Sequence, residues 1–287
     1  MKKVSRIFLI IGNVILAFIL FFVVSVFFEL LTLVLEDNNS IESINECIEK
    51  VSKDTSRKYS EITDLVCDLG GGKEFYGKDY DLLSKLTNLE SITFLDISND
   101  KAAQLFFEEL TKLKKLRSIE IKFSSIESIG KLAEITGLTS LSFSQLSENN
   151  EIVDLDLLGY KGSFVNLESL YLDVGLQSLP DLSALENLTS LTINNSAIEE
   201  LDYEFVNWGN LIELDIARTY IETIDDRIVN DLYNLESLDI SRTLITDIQF
   251  VLKLPKLKNF SCSSYQEFPT DKEPLREHPN FNTSWLD

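Results

Sequence analysis

Residues 185–193 read LENLTSLTI, and residues 232–240 read LYNLESLDI. In both, apolar side chains hold the first, fourth, seventh and ninth places, and a single polar residue separates the last two. That closing alternation has the period of a β-strand. The seventh and ninth side chains enter a core, and their neighbours face outward. The same frame extends to either side. It begins at Leu86–Leu89–Ile92–Phe94 and returns as Leu113–Leu116–Ile119–Ile121, Ile135–Leu138–Leu141–Phe143, Phe164–Leu167–Leu170–Leu172, Trp208–Leu211–Leu214–Ile216 and Leu254–Leu257–Phe260–Cys262. Across the eight copies the second apolar residue falls at 89, 116, 138, 167, 188, 211, 235 and 257, at intervals of 27, 22, 29, 21, 23, 24 and 22. A unit this short cannot bury its apolar face alone; stacked neighbours bury it together.

Each unit is expected to give one short parallel strand and then a return across the back. Apolar pairs mark that return at Ile126/Ile129, Ile198/Leu201, Ile221/Ile224 and Ile245/Ile248. The pattern resembles the leucine-rich-repeat family over residues 86–265, and its unit of roughly 22 residues is most like the bacterial internalin-type class. The resemblance implies an α/β solenoid, a horseshoe with a parallel β-sheet on its concave face, that recognises proteins or glycans. One departure stands out. The family's turn asparagine, whose side chain bonds the turn backbone, is replaced by Ser124, Gly175, Ser196, Thr219 and Thr243; the serine and threonine hydroxyls can also bond backbone groups. The irregular third unit has Leu146 there.

The flanks read as caps. Ile41, Ile44, Ile48 and Val51 lie three to four apart, a helix face suited to an N-terminal cap. Ile62, Leu65 and Cys67 form a degenerate first strand, and Gly70–Gly72 a turn. Linker and cap together occupy residues 29–85, and residues 266–287, rich in proline, form a C-terminal cap or tail. Within the array, Ala102, Ala103, Leu105, Phe106 and Leu110 predict a helix on the convex side. Residues 148–157 predict an inserted strand or loop.

Before the caps, residues 7–28 read IFLIIGNVILAFILFFVVSVFF without a charged side chain. Twenty-two residues at about 1.5 Å each span roughly 33 Å as a helix, enough for the hydrocarbon core of a bilayer. The run is longer than the apolar region of a cleaved signal peptide, the alternative, and lacks small residues before a cut. Lys2, Lys3 and Arg6 precede it, while Glu29, Glu36 and Asp37 follow. The positive-inside bias therefore keeps residues 1–6 cytoplasmic and places the repeats across the membrane on its outer side.

With 47 acidic and 26 basic side chains the formal charge is −21, which repels polyanions and argues against nucleic-acid binding. The single histidine, His278, lies in the tail, and no nucleophile–base pair or metal-ligand spacing accompanies it. An enzyme is not expected, and no cofactor is called for. Of the three cysteines, Cys67 and Cys262 fall at last inward strand positions near opposite ends of the array, too far apart to join. Cys47–Cys67 is geometrically possible within the cap, and buried free thiols are the alternative.

The register sorts the outward side chains into columns. Between the inward pair stand Thr93, Glu120, Ser142, Tyr171, Thr192, Asp215, Asp239 and Ser261; beyond it stand Leu95, Lys122, Ser144, Asp173, Asn194, Ala217, Ser241 and Ser263. From these, Glu120, Lys122, Tyr171, Asp173, Asn194, Asp215 and Asp239 are the expected partner-binding residues on the concave face. Asp215 and Asp239, one repeat apart, could share a calcium ion, although like charges on a solvated sheet are the commoner arrangement. Two functions fit: a surface protein that binds a protein or glycan, in adhesion for example, or an envelope scaffold that docks a membrane partner. An anchor exchanged for a neutral one separates them, because only the second needs the native helix.

Overall fold

A computed structural model describes residues 44–68, 81–97, 100–123, 129–145 and 155–262, all within one of the chain's two units, residues 42–287. The expected anchor at 7–28, Ile41, the glycine run at 70–72, Ser124, Ile126, Leu146, most of the 148–157 insertion and the tail from 263 onward lie outside the described residues. Among the described residues no helix is long and apolar enough to cross a membrane.

Nine strands form one parallel sheet in sequence order: β1 (Asp64–Asp68), β2 (Ser91–Ile97), β3 (Ser118–Phe123), β4 (Ser140–Gln145), β5 (Ser169–Asp173), β6 (Ser190–Asn194), β7 (Glu213–Asp215), β8 (Ser237–Asp239) and β9 (Asn259–Ser261). These are the eight repeat strands and the degenerate first one. Register follows the leucines, with Leu65↔Ile92↔Ile119↔Leu141↔Leu170↔Leu191↔Leu214↔Leu238↔Phe260 in continuous pairing. A register shift between Phe94 and Ile97 on β2 is the one irregularity among these pairings. Inward residues of every strand are buried, and their neighbours are half-buried or exposed.

Two ladders hold the stack besides the strands. Where each strand begins, a single carbonyl of the preceding repeat accepts two successive N–H groups: Glu90 O takes those of Arg117 and Ser118, and Glu168 O those of Thr189 and Ser190. One residue before the second leucine, asparagine amides donate to backbone carbonyls of the previous repeat. The bonds are Asn88 to Ser60 (2.7 Å), Asn166 to Thr136 (2.7 Å), Asn187 to Val165 (2.8 Å), Asn210 to Glu186 (2.8 Å) and Asn234 to Gly209 (2.7 Å). Where lysine holds that place, Lys115 and Lys256 donate to the side chains of Asn88 and Asn234 one repeat earlier.

The described part of the N-terminal cap forms largely as the periodicity predicts. Helix α1 (Ile44–Thr55) buries Ile44, Cys47 and Ile48, while Val51 is only half-buried. Cys47 and Cys67 are disulfide-bonded, tying α1 to β1. Helix α2 (Asp100–Leu110) follows β2, where a helix is expected. Ala103, Phe106, Phe107 and Leu110 are buried, whereas Leu105 is exposed, because positions i, i+3, i+4 and i+7 share one side of a helix. Phe106 meets Phe94 edge to face at 4.4 Å, seating α2 on β2. The described end of the insertion is a 3₁₀ turn at Asp156–Gly159 rather than a strand, and Leu155 and Leu158 are buried there. Helix α3 (Asp226–Asp231) crosses the back of the seventh repeat, capped by Asp225, whose carboxylate accepts from Arg227 N. Cys262 follows β9 half-exposed, since no later described strand covers it.

The turns after the strands explain how the asparagine position is managed. Ser196, Thr219 and Thr243 are buried, and their hydroxyls donate to Val174 O and Asn194 O, to Ile216 O, and to Ile240 O respectively. Each hydroxyl thus finds a partner for its own buried donor and adds a bond to a carbonyl of the turn.

Candidate partner-binding face

All seven predicted residues lie half-buried on the outward face of the sheet. The pairing confirms the column Thr93↔Glu120↔Ser142↔Tyr171↔Thr192↔Asp215↔Asp239↔Ser261. Beside it Lys122↔Ser144↔Asp173↔Asn194 is the second column. The serine column runs Ser91↔Ser118↔Ser140↔Ser169↔Ser190, then breaks at Glu213, whose carboxylate accepts from Ser190 Oγ at 3.1 Å.

The face divides into two groups. On β2 and β3, Thr93 donates to Glu120 at 3.2 Å, and Lys122 pairs with Glu120 at 3.6 Å. That ion pair is well exposed on both sides and contributes little. Two strands beyond β3 the larger group begins, containing Tyr171, Asp173, Asn194, Asp215 and Asp239. Ser142 and Ser144 on β4 separate the two.

The larger group is held by hydrogen bonds that cross repeats. Asn194 Nδ2 donates to Asp215 Oδ2 at 3.2 Å, Asn195 Nδ2 to Asp173 Oδ1 at 2.6 Å, and Arg218 Nη1 to Asn195 Oδ1 at 3.3 Å. Asn195 and Arg218 were not among the residues expected from sequence. They share one repeat position with Arg242, two residues past the last inward side chain, and all three adopt left-handed backbone, with φ of 51°, 59° and 61°. Asparagine enters that region readily, but arginine does so at a cost. Backbone bonds across the repeats hold it there: Arg218 N donates to Ser241 O and Ser196 N to Arg218 O. The recurring column was visible in the sequence, but the conformation that swings it to the edge of the face was not.

Asp215 and Asp239 face their own turns. Asp215 Oδ1 accepts from Ala217 N at 2.9 Å, and Asp239 Oδ1 from Ser241 N at 2.7 Å. Each carboxylate therefore pins the chain as it leaves the strand. Among the described residues no group of three or more His, Cys, Asp or Glu side chains is arranged to hold a metal ion. Burial raises the Asp215 carboxyl above the usual carboxylate range. The Ala217 N–H and Asn194 amide oppose that shift, and repulsion from Asp239 adds to it. Tyr171 is raised as well, first by burial and then by Asp173 and Asp215, so its phenol stays neutral and able to donate.

No protein-family model matches the chain, and no curated protein matches it. Solved structures do. An internalin of Listeria monocytogenes superposes with a TM-score of 0.50 at 20% identity, over 75% of this chain and 66% of that one. A leucine-rich-repeat protein of Leptospira interrogans gives 0.53 at 18% identity, over 79% and 55%. TLR13 in its ssRNA13 complex gives 0.50 at 17% identity, over 69% and 32%. The chain spans less than two thirds of the length of each. At such identities the likeness is one of fold, and the fold is that of the leucine-rich-repeat solenoid.

Proposed function

We propose that this chain is an exported, membrane-tethered recognition protein whose outward sheet face binds a protein partner around Tyr171. The observation that carries the reading is the cross-repeat network over the repeats of β5–β7. Recognition surfaces gain affinity when their polar groups are fixed before the partner arrives, because less ordering is then needed on binding. Here Asp173, Asn194, Asn195, Asp215 and Arg218 are held by one another around a tyrosine, a side chain that offers apolar area and a donor together. Leucine-rich-repeat proteins are generally interaction modules, which supports the class of function. A glycan is the alternative ligand for a face so rich in hydroxyls and carboxylates. RNA, as in the TLR13 complex, does not carry over, since this face presents carboxylates and the chain a net charge of −21.

Export and tethering rest on two independent features. The uncharged run at 7–28 has basic residues before it and acidic ones after it. The Cys47–Cys67 bond is of the kind that persists in oxidising compartments, which supports the reading.

Cross-linking on intact cells tests the binding face. The full chain is expected to trap a discrete partner that is lost in a Tyr171→Ala, Asp173→Lys variant and kept in Leu105→Ala, which alters an exposed residue of α2. Loss in both variants, or in neither, rejects the face.

A further inference from the structure

Tyr220 and Leu244 hold the same place in neighbouring repeats, each between a buried turn threonine and a buried isoleucine, yet they are 56% and 49% exposed. Their backbones form rungs of a regular ladder: Tyr220 N donates to Ile198 O and Leu244 N to Ile221 O, both at 2.9 Å. The two side chains are thus presented side by side on a rigid edge, away from the sheet face. A groove runs beside them, and Glu199, Glu200, Asp202 and Glu222 line it without any lysine or arginine. Asp202 caps the turn at Glu204 N, and none of the four carboxylates joins an ion pair among the described residues. Arg218 and Arg242 line a second groove, which shares Gln177 and Tyr220 with the first.

An exposed aromatic–aliphatic pair rimmed by carboxylates without ion-pair partners is the kind of surface that marks an interaction site. We propose that this groove docks a basic segment of a protein partner, one with lysine or arginine next to an apolar residue. The apolar side chain packs on Tyr220 and Leu244, and the cations meet the four carboxylates and the tyrosine ring. Charge selects this occupant. An acidic segment would be repelled, and an uncharged one would leave four carboxylates partly desolvated without partners. This site stands apart from the sheet face, and either can fail without the other.

The test uses the full chain in detergent micelles, with empty micelles as blank. The probe is a fluorescent lysine–serine peptide carrying one central leucine, read by anisotropy. Tyr220→Ser with Leu244→Ser is expected to weaken binding about tenfold. Glu199→Lys with Glu222→Lys is expected to weaken it at least as much, and Tyr171→Ala to leave it unchanged. A peptide in which serine replaces the leucine should bind about tenfold more weakly than the parent. Three results overturn the proposal: equal binding of the two peptides, which would mean net charge alone attracts them; undiminished binding by either groove variant; or a Tyr220→Ser, Leu244→Ser variant that changes only the sedimentation of the protein, which would make the face a contact between copies of this chain.

Discussion

Thr219 shows how much one hydroxyl can carry in a repeat. It is 2% exposed, and its Oγ1 donates to Ile216 O at 2.8 Å. Valine has nearly the same shape but no donor, so Thr219→Val keeps the packing and strands a buried carbonyl. The expected loss is about 1–3 kcal/mol, read from the denaturant midpoint at unchanged m-value. Asp215 makes a second prediction, through pH. Its folded carboxyl titrates above the unfolded one because burial disfavours the charge. A group shifted in that direction gives its full stability below the unfolded pKa and loses it as pH rises through the folded value. Ionised Asp215 is therefore a burden at neutral pH. Asp215→Asn, which keeps an oxygen for Ala217 N, should raise the melting temperature at pH 7. The gain should shrink toward zero as both states of the wild type become protonated in acid. A gain that persists undiminished in acid would show that charge is not its cause. The same residue illustrates what a sequence conceals. Its place on the outward face followed from the period of two, but its hydrogen bond to the following turn depended on how the chain leaves the strand.

At the scale of elements, α1 and β1 are the part most exposed to conditions outside the fold itself. The first strand has a neighbour on one side only, and α1 closes that open end with three buried side chains and one covalent bond. A disulfide across a separation of 20 residues limits the unfolded chain by about 3 kcal/mol. Cys47→Ser should cost about that much, with the added hydrogen exchange concentrated in residues 44–68 while β4–β8 stay protected. Uniform loss of protection along the array would mean that the cap and the repeats unfold as one. Every strand, and the cap helix, was legible from the positions of leucine and isoleucine, because alternation and a spacing near 22 leave few other ways to bury them. The asparagine ladder was not legible in the same way. Asn166, Asn187, Asn210 and Asn234 recur at one place, but a recurring polar residue declares no partner. The carbonyls they meet belong to the preceding repeat and come within reach only after stacking. Helix α2 was expected, but which side it buries was not, since the apolar residues at 102–103 and 105–107 allow more than one stripe.

For the whole molecule, the candidate face was legible as a set of columns and not as a site. Glu120 and Lys122 stand apart from the group around Tyr171, and only the geometry separates them. Asn195 and Arg218 join that group through left-handed turns that no residue type announced. The central claim is that these repeats work outside the cytoplasm, held to the membrane by residues 7–28. It draws together the charge asymmetry around the apolar run, the Cys47–Cys67 bond and a face preformed for recognition. The most direct test attaches an epitope after Asp287 and treats intact cells with a protease. Loss of the epitope, with a cytoplasmic marker protein left whole, is the predicted result. An epitope that survives even after the outer layers of the cell have been opened would place the repeats in the cytoplasm and contradict the account.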